Sequence, residues 1–163
     1  MNDVTTTIDA YVAMWNETDA ARRDNHIGRA WTDDGRYVDA AIESEGHTGL
    51  GKMVANLQAQ FPGHRFRRVN GIDSHHEQIR LAWEFVAPDG TATGVGIDVG
   101  ALAPDGRLQR IVRFAGQLTE AAETTGSFAT GMATVAARPW RKRQMVADGL
   151  RRGRTMSAHP AAH

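Results

Sequence analysis

The 163-residue chain predicts an α+β fold, with three N-terminal helices packed on an antiparallel sheet. Three observations carry this. Apolar residues recur at helical spacing in three segments before residue 62, and at period two after residue 78. The tetrapeptide Ala-Pro-Asp-Gly occurs twice, at 87–90 and at 103–106. Proline presets φ and glycine accepts a positive φ, so each copy reverses the chain between strands. Helical segments that precede a run of hairpin-linked strands give an α+β arrangement.

The elements follow in order. Ile8, Tyr11, Val12 and Trp15 share one helical face, with Thr5 to Thr7 as available caps. Thr18 and Asp19 cap a second helix whose inner side carries Ile27, Ala30 and Trp31. Asp33-Asp34-Gly35 reads as a turn and Arg36 to Ala41 as a short strand. Leu50, Met53, Val54, Leu57 and Phe61 mark a third helix, capped by Thr48 and stopped by Pro62-Gly63. A strand is expected at about 64–72. Ile79, Leu81, Trp83 and Phe85 alternate with polar or small residues, and further strands fall at 92–102 and 107–116. Residues 1–117 read as the domain. Residues 118–163 read as a C-terminal extension, rich in Thr, Ala, Gly and Glu and then basic.

Composition narrows the chemistry. The chain has no cysteine, which excludes disulfides, thiolate metal sites and a cysteine nucleophile. Met1 to Val4 do not begin a basic region followed by an apolar run, so no signal peptide is expected. No segment approaches the roughly 18 apolar residues of a membrane helix. A cytoplasmic protein with no membrane partner is expected. The zero net charge hides an asymmetry: from residue 138 onward seven Arg and Lys face one acid, whereas the rest of the chain has 12 basic and 18 acidic residues. Trp140 within that tail makes nucleic-acid binding conceivable, but a solvated extension or a clamp onto an acidic surface is the expected reading.

The element order resembles the nuclear transport factor 2-like superfamily, also called the SnoaL-like or cystatin-like cone, over roughly residues 5–117, and the resemblance implies a strongly curved antiparallel sheet that forms a cone with an apolar pocket. Its motifs look most like those of ketosteroid isomerases. Tyr11-Val12-Ala13 with Asn16 and Asp19 is similar to their first helix, and Tyr37-Val38-Asp39 with Gly46-His47-Thr48-Gly49 to the strand bearing their base. Ile97-Asp98, Asp105-Gly106-Arg107-Leu108 and Gly116 are similar to their last strands. The resemblance implies three catalytic positions: Asp39 as the proton-transferring carboxylate, and Tyr11 and a protonated Asp98 as oxyanion donors. It also implies a homodimer. This chain departs from the family at Ala40, where the isomerases usually have proline, and in having only two tyrosines, Tyr11 and Tyr37.

The residues admit three functions. The first is a cofactor-independent acid–base enzyme on a small apolar carbonyl compound, because a desolvated carboxylate can remove a proton beside a carbonyl while aligned donors hold the enolate oxygen. The second is an epoxide hydrolase or polyketide cyclase-type ring reaction, and it turns on Arg113. If Ile111, Arg113 and Ala115 face inward, the guanidinium holds Asp98 ionised, and an ionised acid cannot donate to an enolate. If Leu108, Val112 and Phe114 face inward, Arg113 is outside. The third is a non-catalytic small-molecule-binding module. Trp15, Trp83, Arg113 and His75 are the expected substrate-binding residues. Asp98 shares a strand face with Gly94, Gly96 and Gly100, which leave room for a close approach. Adjacent His75 and His76 point to opposite faces of a strand and cannot chelate together. No convergent metal-ligand set and no phosphate loop is present in the sequence, so no metal and no cofactor is expected.

Overall fold

The computed structural model describes residues 3–117. The 118–163 extension, with its basic tail and Trp140, lies outside the described residues. Three helices, α1 (Val4–Asn16), α2 (Ala20–Ala30) and α3 (Gly46–Gln60), accompany seven strands: β1 (Trp31–Val38), β2 (Glu43–Glu45), β3 (Arg65–Arg68), β4 (Asp73–His75), β5 (Gln78–Val86), β6 (Ala92–Leu102) and β7 (Leu108–Ala115). The sheet runs β2-β1-β7-β6-β5-β3, with β4 paired to β5.

One correction concerns the sheet's polarity. It is mixed, because β1 pairs parallel to β7 while every other pairing is antiparallel. A second concerns the start of β1. Trp31 opens the strand instead of closing α2, and Asp33-Asp34-Gly35 lies within it. The turn signal there is expressed as an irregularity. Trp31 pairs with Leu108 and Arg36 with Arg110, so the register shifts between them. Gly35 sits against the Trp31 ring, where a Cβ would come 2.7 Å from Trp31 Cε3. A side chain at position 35 would collide with the buried indole.

The helices follow their apolar faces. Ile8, Tyr11 and Trp15 of α1, Ile27 and Ala30 of α2, and Leu50, Met53 and Val54 of α3 are buried in one core with Trp31. Asp19 caps α2 by accepting from Arg22 N at 2.9 Å. The other expected caps differ. α1 begins at Val4 after Asp3, and Thr7 instead donates to the Gly106 carbonyl at 2.8 Å. Thr48 lies inside α3, which starts after Glu45.

Both Ala-Pro-Asp-Gly turns form alike. Gly90 N donates to Ala87 O and Gly106 N to Ala103 O, each at 2.9 Å, and the two glycines have φ of 87° and 86°. They bound β6. Its buried residues are Gly94, Gly96, Asp98 and Gly100, and they face the buried Ile79, Leu81, Trp83 and Phe85 of β5. The expected 64–72 strand is only the four-residue β3, and a further short strand, β4, precedes a tight β4–β5 hairpin at His76, whose φ is 52°.

Candidate functional site

A cavity of about 110 Å³ opens between the inner face of the sheet and the helices. Trp15 of α1 and Met53 and Leu57 of α3 form one wall; Tyr37, Phe66, Trp83 and Phe85 of the sheet form the other. Two charged side chains reach this apolar lining, Asp39 and Arg113.

The parity of β7 decides Arg113. Ile111 and Arg113 are buried while Phe114 is 61% exposed. Asp98 and Arg113 are direct partners across β6 and β7, so their side chains leave the sheet on the same face. Arg113 Nε donates to Asp98 Oδ1 and Nη2 to Oδ2, each at 2.8 Å. Two neutral donors complete the carboxylate. Tyr11 Oη donates to Oδ2 at 2.6 Å, and Trp83 Nε1 to Oδ1 at 2.9 Å. The inward glycines make this possible: Gly96 leaves space across which the Trp83 indole lies, its Cε2 being 2.8 Å from where a Cβ would stand. Arg113 Nη2 also donates to Tyr11 Oη at 3.0 Å.

Aromatic rings enclose the guanidinium. Its Cζ lies 4.6 Å from the Trp15 centroid, 4.5 Å from Phe66 and Trp83, and 5.4 Å from Tyr37. Cation–π attraction is strongest when the cation is desolvated in this way. Burial opposes the charge on Arg113, but the Asp98 carboxylate prevails and holds the guanidinium well above its ordinary range. The Tyr11 hydroxyl is pushed up, first by burial and also by Asp98, against the opposing pull of Arg113, so it remains a donor. Burial and then Asp39 raise Tyr37 in the same way.

Asp39 follows β1 at the rim. Its Oδ1 accepts from Ala41 N at 2.8 Å and Ile42 N at 2.7 Å, and its Oδ2 from Tyr37 Oη at 3.0 Å. The side chain thus organises the β1–β2 turn while also facing the cavity. Tyr37 links the two charged groups, with its hydroxyl on Asp39 and its ring beside Arg113.

The expected site residues divide into three groups. Asp39, Trp15, Trp83 and Arg113 line the cavity. Tyr11 and Asp98 meet behind it, beneath Arg113, and neither is among the lining residues. A protonated Asp98 donating to a ligand does not fit, because four donors already converge on its two oxygens and two of them belong to Arg113. His75 lies elsewhere, exposed on β4; the hairpin at His76 carries it away from the face of Ile79 and Trp83. Tyr37 and Phe66 are the important residues not anticipated. Tyr37 stands two residues before Asp39 on the same strand, and that spacing is a usable signal. The four residues of β3 are too few to show a period around Phe66.

Among the described residues no group of three or more His, Cys, Asp or Glu is placed to hold a metal, and no helix is long and apolar enough to cross a membrane. No protein-family model matches the sequence, and no curated protein matches it. Solved structures do. One is a protein named as an isomerase of the SnoaL-like family from Agrobacterium tumefaciens, 35% identical, with TM-score 0.67, covering 72% of this chain and 100% of its own. A nuclear transport factor 2-like protein from Exiguobacterium is 18% identical with TM-score 0.56, covering 69% of this chain and 100% of its own. A protein named as a SnoaL-like polyketide cyclase from Jannaschia is 15% identical with TM-score 0.55, covering 85% of this chain and 98% of its own. The latter two share the fold, whereas the first matches in sequence along its whole length, and the chain therefore belongs to the SnoaL-like family.

Proposed function

We propose that this protein is a cofactor-independent acid–base enzyme that enolises a small apolar carbonyl compound, with Asp39 as the base and Arg113 as the group that holds the carbonyl oxygen. The observation that carries this reading is the pair of opposite charges on one apolar cavity. Asp39 takes the proton from carbon beside the carbonyl. The guanidinium, already aligned by Asp98, Tyr11 and its four aromatic neighbours, compensates the charge that develops on oxygen. Return of the proton to another carbon makes the protein an isomerase, and attack of the enolate on a second carbonyl makes it a cyclase. Both outcomes begin with the same step. The SnoaL-like relative named as an isomerase supports this class of chemistry.

Exchange of α-protons for deuterium tests the step. Small ketones in deuterated buffer are expected to exchange faster with the protein than without it, as followed by proton NMR. Asp39→Asn is expected to lower that rate by about 100-fold or more, the usual contribution of a general base. Asn retains an acceptor oxygen for Ala41 N and Ile42 N, so the turn survives the substitution. Undiminished exchange in Asp39→Asn would refute the assignment.

The arginine also favours a second reading, hydrolytic opening of an epoxide, in which Asp39 activates water and another acid protonates the ring oxygen. Asp98 is poorly suited to be that acid, since it lies off the cavity with both oxygens occupied. Oxygen-18 from labelled water appearing in a diol product would move the assignment to this reaction.

A further inference from the structure

Arg113 has five N–H bonds to distribute, and its partners take a defined subset. Nε and Nη2 carry every bond described: two to Asp98 and one to Tyr11. Nη1 has no acceptor among the described residues. Rings crowd the guanidinium, with Trp15, Phe66 and Trp83 centroids within 4.6 Å of Cζ, which leaves little room for a ligand to stack on Arg113. Nor can it bind in the fork geometry by which arginine recognises a carboxylate, because Asp98 holds the Nε–Nη2 edge and Tyr11 Oη takes the second Nη2 hydrogen that the Nη1–Nη2 edge would need. What remains on a residue that lines the cavity is one nitrogen.

Charge points the same way. Asp98 is bonded to Arg113, and Asp39 stands on the same cavity, so the three groups carry two negative charges against one positive. An anionic ligand would add a third negative charge in an apolar enclosure, where like charges repel strongly. Size supplies the last restriction. The cavity encloses about 110 Å³, less than the engineered cavity of about 150 Å³ that takes benzene, so a single ring fills it with part of its edge at the opening.

We infer that the site selects an uncharged ligand with one acceptor oxygen on a body of about one six-membered ring, its oxygen received by Arg113 Nη1, and rejects carboxylates and fused-ring ketones. Tyr11 and Asp98 are then positioning residues: they never touch the ligand, and they leave a single donor edge for it. This inference rests on the proposed enolisation for the identity of the oxygen as a carbonyl, but its test reads binding alone.

The full chain is titrated with cyclohex-2-enone, with benzoate and with 2-decalone, and the quenching of tryptophan fluorescence is followed, since Trp15 and Trp83 line the cavity. Saturable binding of cyclohex-2-enone is expected, with benzoate and 2-decalone each at least fivefold weaker. In parallel, the Arg113 side-chain 15N signals of labelled protein are followed, and Nη1 is expected to shift on adding cyclohex-2-enone. Benzoate binding is expected to strengthen in Asp39→Asn, where one negative charge is removed. A gap of less than fivefold for either competitor, an unmoved Nη1, or no cyclohex-2-enone binding up to its solubility overturns the inference. Selective binding with no deuterium exchange leaves this ligand class standing and refutes the enolisation. Exchange without selectivity does the reverse.

Discussion

Asp98 concentrates the physics of this site at the scale of one residue. A carboxylate withdrawn from water is costly unless its lone pairs are matched, and here Arg113, Tyr11 and Trp83 supply four donors. Removing one partner leaves the other charge stranded. Asp98→Ala is expected to destabilise the protein by about 3–5 kcal/mol, measured by urea denaturation, whereas Tyr11→Phe removes one hydroxyl and is expected to lose about 1–2 kcal/mol. Equal effects of the two would contradict the network. The tyrosines offer a spectroscopic check, because Tyr11 and Tyr37 are the only two in the chain and burial raises both. Neither is expected to ionise in the folded protein at pH 11, as read by absorbance near 295 nm. A hydroxyl raised by folding contributes stability that is complete below the unfolded value, about 10. That stability declines as pH rises beyond it, because the unfolded chain then gains charge that the folded chain cannot. A tyrosinate signal near pH 10 in folded protein would show that the hydroxyls are not held as described.

Strands β5, β6 and β7 act together at the scale of elements. Cross-strand register places Trp83 opposite Gly96, and Asp98 opposite Arg113. The indole covers the glycine and its N–H then reaches Asp98. A Cβ at Gly96 would overlap both the Trp83 ring and the Phe114 carbonyl. Gly96→Ala is therefore expected to cost about 1–3 kcal/mol and to alter the near-ultraviolet circular dichroism of Trp83. A neutral result would mean that the sheet can yield there. Legibility in the sequence differed sharply among these strands. β5 announces itself by Ile79, Leu81, Trp83 and Phe85, and both Ala-Pro-Asp-Gly turns formed where they were expected. β7 was ambiguous, because Leu108, Val112 and Phe114 are as apolar as Ile111 and Ala115. Parity is set by pairing with β6, and no local pattern contains that information. β2 and β4, at three residues each, are too short to show a period.

The described residues share one core, from Ile8 to Ile111, at the scale of the whole molecule. The SnoaL-like relative from Agrobacterium tumefaciens is matched end to end by 72% of this chain. A protein ending at residue 117 is accordingly expected to unfold cooperatively in urea with a midpoint within about 0.5 M of the full chain's, given the usual slopes of about 1–3 kcal/mol per molar. Loss of the cooperative transition would assign residues 118–163 a share of the fold. The amino-acid order by itself determined the helices, the two proline–glycine turns and the alternation of β5, because these are matters of period and of local conformational preference. Tertiary structure alone decided that β1 runs parallel to β7, that the glycine and Asp98 face of β6 turns inward, and that Tyr11 and Asp98 support Arg113 instead of facing the cavity. Those outcomes depend on contacts between residues 15 to 102 positions apart, and such contacts are specified by packing and charge pairing instead of by local pattern.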